Sequence, residues 1–182
     1  MVICHLGLYG KELKNIKRPK EGMGDISFFE NPSKELLETL NPNIILVSLN
    51  ISKGIPRIFG NWHPDYSSAN DYKLRYALQD TPFWGSYMTD IIKNHPQMDS
   101  AKLIRELNQN PSLVQTNIDN FIQELKDIGA KNPILIAQGG ATFKILKKYL
   151  KDKYRIFKVT HYSAFMKKEQ LREEYNNLIE IL

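Results

Sequence analysis

The architecture of this chain is set by the apolar run IILVSL (Ile44–Leu49), which ends at the polar residue Asn50. A continuous β-branched and apolar run is typical of a strand that helices cover on both faces of a sheet. A second run, Arg155–Thr160, ends at His161 and continues into Tyr162-Ser163. Ligands of open α/β sheets bind at the carboxyl ends of the strands. We therefore expect each run to deliver one functional side chain to the same edge of a sheet.

Strand and helix patterns alternate around these two runs. Strands are predicted at Ile44–Leu49, Tyr87–Ile92, Pro133–Ala137 and Ile156–Thr160. Helices are predicted over about 33–40, 71–78, 99–107, 111–128, 141–150 and 167–182, with Ser33 as the cap of the first and Gly129 closing the fourth. This alternation predicts an α/β fold of three layers, αβα, with a central, mainly parallel four-stranded sheet.

The length and composition favour one domain without a membrane segment. A chain of 182 residues suits a single domain over 1–182 with one substantial core. No apolar run approaches the ~18 residues of a membrane span, and Met1–Gly10 lacks the pattern of a signal peptide. Cys4 is the only cysteine, which excludes an intramolecular disulfide and a four-cysteine metal site. We expect a cytoplasmic monomer.

The positive charge of the chain is concentrated near its C-terminus. The whole chain carries a net charge of +5. The segment from Phe143 to Arg172 has ten basic and two acidic residues, a net charge of +8, so the rest of the chain carries −3. A solvated helix face is a common reason for such a run, but this one flanks His161. Its charge therefore favours a polyanion such as DNA as partner.

Two short segments resemble the motifs of the uracil-DNA glycosylase superfamily. Ser48-Leu49-Asn50-Ile51-Ser52 is similar to the Gly-hydrophobic-Asn-Pro-Gly motif of the mismatch-specific and single-strand-selective branches, and His161-Tyr162-Ser163-Ala164-Phe165 to the His-Pro-Ser-Pro-Leu motif. Between them, Tyr87–Lys93 occupies the place of the base-reading strand, and Leu135–Gly140 that of a strand-turn-helix. The resemblance runs from about residue 44 to the C-terminus. Several consensus glycines and prolines are missing, so it implies a divergent member.

The resemblance implies that Asn50 and His161 are catalytic. Cleavage of an N-glycosidic bond builds positive charge on the sugar and negative charge on the departing base, and enzymes stabilise such charges in a dry pocket. His161 would donate a hydrogen bond to the base oxygen. Asn50 would orient the attacking water, because an amide does not abstract a proton as a carboxylate does. Taken singly, Asn50 could be a loop cap and His161 a structural imidazole; their pairing at two strand ends favours function.

The same resemblance assigns DNA contacts. The target base must leave the helix stack, and Phe59 would stack on the flipped base. Phe165 falls where the family carries an apolar wedge that fills the gap, with Met166 as the alternative wedge. Ser163 would contact a phosphate, aided by Lys167 and Lys168. Packing of Phe59 within its loop, and of Phe165 or Met166 against the last helix, are the structural alternatives.

Two departures from the family concern the choice of base. Asp90 stands where the family has a base-reading Asn; an ionised carboxylate only accepts hydrogen bonds and would repel uracil O4. Either Thr89 or Asn94 reads the base instead, or the substrate is another base. Ser52 occupies the place of a bulky Tyr that excludes thymine in the fast uracil-specific branch. A small residue there allows a broader or mismatch-type specificity.

The sequence is also compatible with two functions other than a glycosylase. A non-catalytic nucleic-acid or nucleotide-binding protein could share the fold. An unrelated flavodoxin-like enzyme could bind a phosphate at Gly139-Gly140, although no G-x-G-x-x-G fingerprint is present. We expect no metal and no cofactor, because His63 and Asp65 lack partners at ligand spacing. The glycosylase hypothesis requires Asn50 and His161 to face one pocket from neighbouring strand ends.

Overall fold

The computed structural model describes residues 31–54 and 70–182, together with the backbone of Val2–Ile3. The strands are β1 (Val2–Ile3), β2 (Asn41–Asn50), β3 (Ser86–Ile92), β4 (Ile134–Gln138) and β5 (Arg155–Val159). The helices are α1 (Lys34–Glu38), α2 (Asp71–Leu78), α3 (Ser100–Gln109), α4 (Pro111–Asp127), α5 (Gly140–Leu150) and α6 (Lys168–Ile179). Within the described part of the chain, no helix is long and apolar enough to cross a bilayer.

The strands form one sheet in the order β1-β3-β2-β4-β5. The last four strands in that order are all parallel, in a register that aligns Leu46 with Met88 on one side and with Ile136 on the other. The two-residue strand β1 adds an antiparallel edge beside β3. The predicted three-layer α/β fold with a parallel four-stranded sheet is confirmed.

Each face of the sheet has its own helices and its own apolar core. Ile45, Val47 and Ala137 point to the face that α3, α4 and α5 cover, which we call the α4/α5 face. Leu46 and Ile136 alternate with these residues along their strands and point to the opposite face, which α2 and α6 cover and which we call the α2/α6 face. Because both faces of β2 are buried, its run of apolar residues is continuous rather than alternating.

Local signals in the sequence account for where several helices begin. The Asp99 carboxylate accepts hydrogen bonds from the backbone N–H groups of Ala101 and Lys102 at the start of α3. The Asn110 side chain caps α4 in the same way, with Pro111 as the first helical residue. Such side chains satisfy N–H groups that the first helical turn leaves without partners.

The strand order creates a topological switch point between β2 and β4. The chain leaves β2 through α2 on one face and returns to β3, whereas it leaves β4 through α5 on the other face and returns to β5. The two connections diverge at the carboxyl ends of β2 and β4. In open α/β sheets, this divergence opens the crevice in which ligands bind.

Candidate functional site

A row of buried polar side chains crosses the α2/α6 face just below the carboxyl edge of the sheet. Ser48 pairs in register with Asp90 of β3, and its hydroxyl donates a 2.7 Å hydrogen bond to Oε1 of Gln138 in β4. The Gln138 amide in turn donates to the Tyr175 hydroxyl of α6 at 3.4 Å. All four residues are buried. Polar groups in such a place are retained only with partners, so this row forms a fixed floor beneath the switch point.

Asn50 is the last residue of β2 and lies two residues beyond Ser48, so the two side chains point to the same face of the sheet. The Asn50 Nδ2, with two N–H donors, lies within hydrogen-bonding distance of three backbone carbonyls, those of Ile51 at 2.7 Å and of His95 and Gln97 at 3.0 Å, so two of the carbonyls share one hydrogen. Three surrounding acceptors fix which end of the amide is nitrogen. Within residues 31–54 and 70–182, the Asn50 Oδ1 accepts no hydrogen bond. Asn50 therefore ties β2 to the segment after β3 and keeps one acceptor for water or a ligand.

His161 follows β5 and is held as a neutral imidazole. Its Nδ1 lies 2.7 Å from the Ser163 hydroxyl and accepts the Ser163 backbone N–H at 3.2 Å. A ring nitrogen that accepts a backbone N–H carries no proton, so the proton is on Nε2. Burial lowers the pKa of His161 to about 4. Among the residues that the structure describes, Nε2 has no partner, so His161 presents one N–H donor.

The sheet brings Asn50 and His161 to the same edge. Val47, Ala137 and Lys158 form one register row; Asn50 and His161 each lie three residues beyond that row. Strand β4 lies between their strands, so the expectation that the two strand ends are neighbours is wrong, and two strand spacings, about 10 Å, separate their backbones. A Cβ atom built on Gly139 would lie 3.6 Å from the His161 Cβ. The β4–α5 turn therefore lies beside His161, at the end of the strand that separates His161 from Asn50.

Two helices hold the loop that carries His161, residues 160–167, which we call the His161 loop. The Glu174 carboxylate of α6 accepts the Thr160 backbone N–H at 2.5 Å and the Thr160 hydroxyl at 2.7 Å. The Lys73 ammonium of α2 donates to the Ala164 carbonyl at 3.0 Å. Glu174, Lys73 and Gln138 were not predicted as site residues. Only Gln138 has a local signal, as a polar residue that ends an apolar run.

The His161 loop presents one of the two candidate wedges to solvent. Phe165 is fully exposed, with 110% relative accessibility, whereas Met166 packs on the apolar core of the α2/α6 face. The structure therefore distinguishes the two predicted alternatives: Phe165 is exposed to solvent, whereas Met166 is partly buried against the core.

The predicted phosphate contacts also divide into two groups. Ser163 and Lys167 are exposed on the His161 loop, although the Ser163 hydroxyl already contacts His161. The Lys168 ammonium lies 4.5 Å from the centroid of the Tyr76 ring and 3.9 Å from the Glu169 carboxylate. Its side chain is only 10% exposed. Lys168 thus stabilises the packing of α6 on α2 and does not face solvent as the sequence suggested.

The predicted base readers lie on different faces of the sheet. Asp90 belongs to the buried row beside Ser48, whereas Thr89 points to the α4/α5 face and donates to Glu124 at 2.9 Å. There Lys93 pairs with the same Glu124 carboxylate at 2.9 Å and contacts the Thr89 hydroxyl. The structure therefore does not bring Thr89 together with Asn50 and His161.

Other predicted positions lie at the margin of the site or beyond it. Ser52 is exposed in the turn that follows β2, and Asn94 follows β3 with a positive φ of 54°. Phe59, proposed to stack on the base, lies outside the described residues, as do His63 and Asp65.

Across the described ranges, no group of three or more His, Cys, Asp or Glu side chains is placed to hold a metal ion. Within the same ranges, the switch point carries a neutral imidazole N–H, an amide oxygen that accepts no hydrogen bond, and the buried polar floor. Comparison with protein-family models, with curated proteins and with solved structures finds no match to this chain.

Proposed function

We propose that this protein is a DNA glycosylase of the uracil-DNA glycosylase type, which hydrolyses the N-glycosidic bond of a deaminated or mismatched base in base excision repair. The observation that carries the proposal is the neutral His161, whose Nε2–H has no partner within residues 31–54 and 70–182 and lies at the sheet edge that it shares with Asn50. A cytoplasmic, monomeric protein that needs no cofactor belongs to the same proposal.

His161 would act on the departing base. As the bond between the sugar C1′ and the base nitrogen breaks, its electron pair moves into the base and develops negative charge on a base oxygen. The Nε2–H would donate a hydrogen bond to that oxygen. Because the pKa of His161 is about 4, the ring stays a neutral donor at physiological pH. Loss of one such donor typically costs about 10²–10³ in rate.

Asn50 would act on the water. Its Nδ2 is fixed by three carbonyls, so its Oδ1 has a fixed direction in which to accept a hydrogen bond from the attacking water. The water oxygen bonds to C1′ and its proton passes to solvent, because an amide does not take it. Asn50 is thus a positioning group whose contribution is orientation rather than proton abstraction.

The surroundings of the site suit a base that is flipped out of DNA. Phe165 stands exposed four residues after His161, where a wedge would fill the gap in the stack. The excess of lysine and arginine in residues 143–172 supplies charge that attracts phosphate. Asp90 lies in the floor beside Ser48, so a base with a donor group facing it would fit better than one with a second acceptor.

The proposal is tested with oligonucleotides that carry one uracil, hypoxanthine, xanthine or G·T mismatch. After incubation with protein, alkali cleaves the strand wherever an abasic site has formed. We expect strand scission for at least one base, reduced at least 10²-fold in His161→Ala. Intact strands for all four substrates would overturn the enzymatic proposal.

A non-catalytic binding protein on the same fold is the second candidate, and one observation favours it. The three carbonyl contacts of the Asn50 amide are what a purely structural cap would make. This candidate predicts that the protein binds DNA or a nucleotide without cleaving it, and that Asn50→Ala alters stability alone.

A further inference from the structure

Helix α5 carries a row of lysines on its outer side. Lys144, Lys147, Lys148 and Lys151 follow the i, i+3, i+4, i+7 spacing of one helical face, and all four are exposed. We call this surface the α5 lysine face. The helix contains no acidic residue. In the described part of the chain none of the four ammonium groups forms a salt bridge. The Lys147 and Lys148 ammonium groups lie over the rings of Phe143 and Tyr149, at 5.6 and 5.0 Å from the centroids, but no carboxylate among the described residues neutralises the charge of the row.

The opposite side of α5 is already occupied. Thr142, Leu146 and Leu150 are buried against the α4/α5 face of the sheet. A helix that binds a membrane surface inserts its apolar side into the lipid, and α5 has no apolar side left for this. Exposed lysines of the neighbouring segment, Lys153 and Lys158, extend the positive surface. A hydrophilic polyanion is the partner that this surface fits.

The α5 lysine face begins next to the candidate site. Helix α5 starts directly after Gly139, whose built Cβ would contact His161 at 3.6 Å. Lys144 follows a little more than one helical turn later, about 6 Å along the axis, and the row extends about 10 Å further to Lys151. One DNA strand places a phosphate every ~3.4 Å of its axis, so the row matches about three phosphates.

We propose that the α5 lysine face binds the phosphate backbone of DNA that flanks the processed base, and that it holds undamaged DNA equally well. The inference deepens the proposed function and rests on it for the identity of the polyanion. Phosphate contacts position a protein without reading sequence. The α5 lysine face therefore binds undamaged duplex DNA and lets the protein move along it. The site at the switch point then selects the base that is removed.

The salt dependence of binding measures this contribution. The logarithm of the binding constant falls with the logarithm of salt concentration at a slope of about −0.9 per phosphate contact. We expect the fourfold variant Lys144→Gln, Lys147→Gln, Lys148→Gln and Lys151→Gln to lose about three phosphate contacts, so that the slope becomes about 2.7 less steep. Binding to an undamaged duplex is measured by fluorescence anisotropy at several salt concentrations. Gln keeps a similar helix propensity, so the melting temperature should not change.

A matched variant controls for net charge. Lys34, Lys102, Lys126 and Lys131 lie on or beside other helices, and their replacement by Gln removes the same four charges. We expect this variant to keep the wild-type slope. Equal flattening by both variants would overturn the inference, as would tighter binding of the wild-type protein to phosphatidylserine vesicles or to duplex RNA than to DNA.

The outcomes separate this inference from the proposed function. If no base is released but the α5 variant alone loses the salt slope, the glycosylase proposal fails and the DNA surface stands. If a base is released and the α5 variant binds undamaged DNA with the wild-type slope, the surface fails and the glycosylase stands.

Discussion

The Nδ1 of His161 contacts both the backbone N–H and the hydroxyl of one residue, Ser163, and this decides which nitrogen carries the ring proton. The sequence shows that His161 and Ser163 are separated by one residue, but it does not show that the Ser163 backbone N–H and hydroxyl turn back to the imidazole. The contact becomes predictable only once the chain is known to turn at the end of β5, where the Ala164 N–H bonds back to the His161 carbonyl.

The lowered pKa of His161 predicts a pH dependence. Burial lowers this pKa from its ordinary 6.5 to about 4. Between these values the unfolded chain binds a proton that the folded protein does not, so the free energy of unfolding rises with pH through this window, by roughly 3 kcal/mol. We expect the His161 ring resonances, assigned with His161→Gln, to titrate near pH 4. Titration near pH 6.5 would contradict a ring held neutral by its surroundings in the folded protein.

The environment of the Asn50 amide predicts that Asp is a poor substitute there. Three carbonyl oxygens surround Nδ2, and a carboxylate oxygen in that place would repel all of them. We expect Asn50→Asp to destabilise the protein more than Asn50→Ala, which itself leaves acceptors without a donor at a cost of about 1–3 kcal/mol. Urea unfolding measures both. Wild-type stability in Asn50→Asp would show that Nδ2 does not hold this junction.

At the scale of single elements, the position of the His161 loop depends on contacts that span the chain. Glu174 and Lys73 reach it from two helices. Neither residue stands out in the sequence, because a Glu or Lys on a helix is ordinarily a solvated side chain. Asn50 and His161 were identifiable because each polar residue ends an apolar run. The residues that hold the His161 loop have no such pattern.

Glu174 is expected to act through the loop rather than on the substrate. Glu174→Gln keeps one acceptor oxygen for the Thr160 N–H, but its NH2 group must then face the Thr160 hydroxyl, and two charge-assisted hydrogen bonds become weaker neutral ones, so the start of the loop is held less firmly. We expect the single-turnover rate of base release to fall about 10-fold or more, because small misplacements of reacting groups are costly, while DNA affinity stays near wild type. The neighbouring Glu173→Gln is the matched control, since Glu173 is exposed; equal loss in both variants would argue against a positioning role.

Gly139 directly precedes α5 and Gly140 is its first residue, but the backbone conformation requires glycine only at the first of the two positions. Gly139 has a φ of +99°, which L side chains rarely adopt, whereas a Cβ on Gly140 meets open space. We expect Gly139→Ala to destabilise the protein by about 1–2 kcal/mol and Gly140→Ala to be neutral or slightly stabilising. Thermal unfolding of the two variants compares them directly. The same cost at both positions would mean that the turn is not set by Gly139.

The bounds of two elements show where local patterns mislead. A strand is predicted to begin at Ile44, yet β2 begins three residues earlier, at Asn41, and includes Pro42. The register shifts between Asn41 and Ile45, and proline is tolerated at such irregular strand starts. At the other end of the chain, the predicted last helix reached Leu182 but α6 ends at Ile179. Ile181 is 58% exposed, so no core remains there to stabilise another turn.

At the scale of the whole molecule, the sequence predicted the layers and not the order of the strands. Any parallel sheet brings its strand ends to one edge, which is why Asn50 and His161 could be expected to share it. That β4 and its turn lie between them depends on which face each connecting helix packs against. Contacts between distant parts of the chain, such as those of α2 with α6, decide which face each helix covers. No short stretch of sequence indicates these contacts.

The exposure of Phe165 yields a prediction that concerns the molecule together with its DNA. Because Phe165 is fully exposed, Phe165→Ala should leave the melting temperature unchanged. A wedge fills the gap left by a base that leaves a duplex, and a single strand has no such gap. We therefore expect Phe165→Ala to slow base release from duplex DNA about 10-fold or more relative to single-stranded DNA.

Met166→Ala is the matched variant, because this neighbour packs on the core of the α2/α6 face. It should lower stability by about 1–2 kcal/mol, less than for a fully buried methionine, and should affect both DNA forms alike. A duplex-specific loss in Met166→Ala, with none in Phe165→Ala, would assign the wedge to Met166 and require the His161 loop to rearrange on DNA. Equal losses on both DNA forms in Phe165→Ala would remove the wedge altogether, and base extrusion would then depend on residues outside this loop.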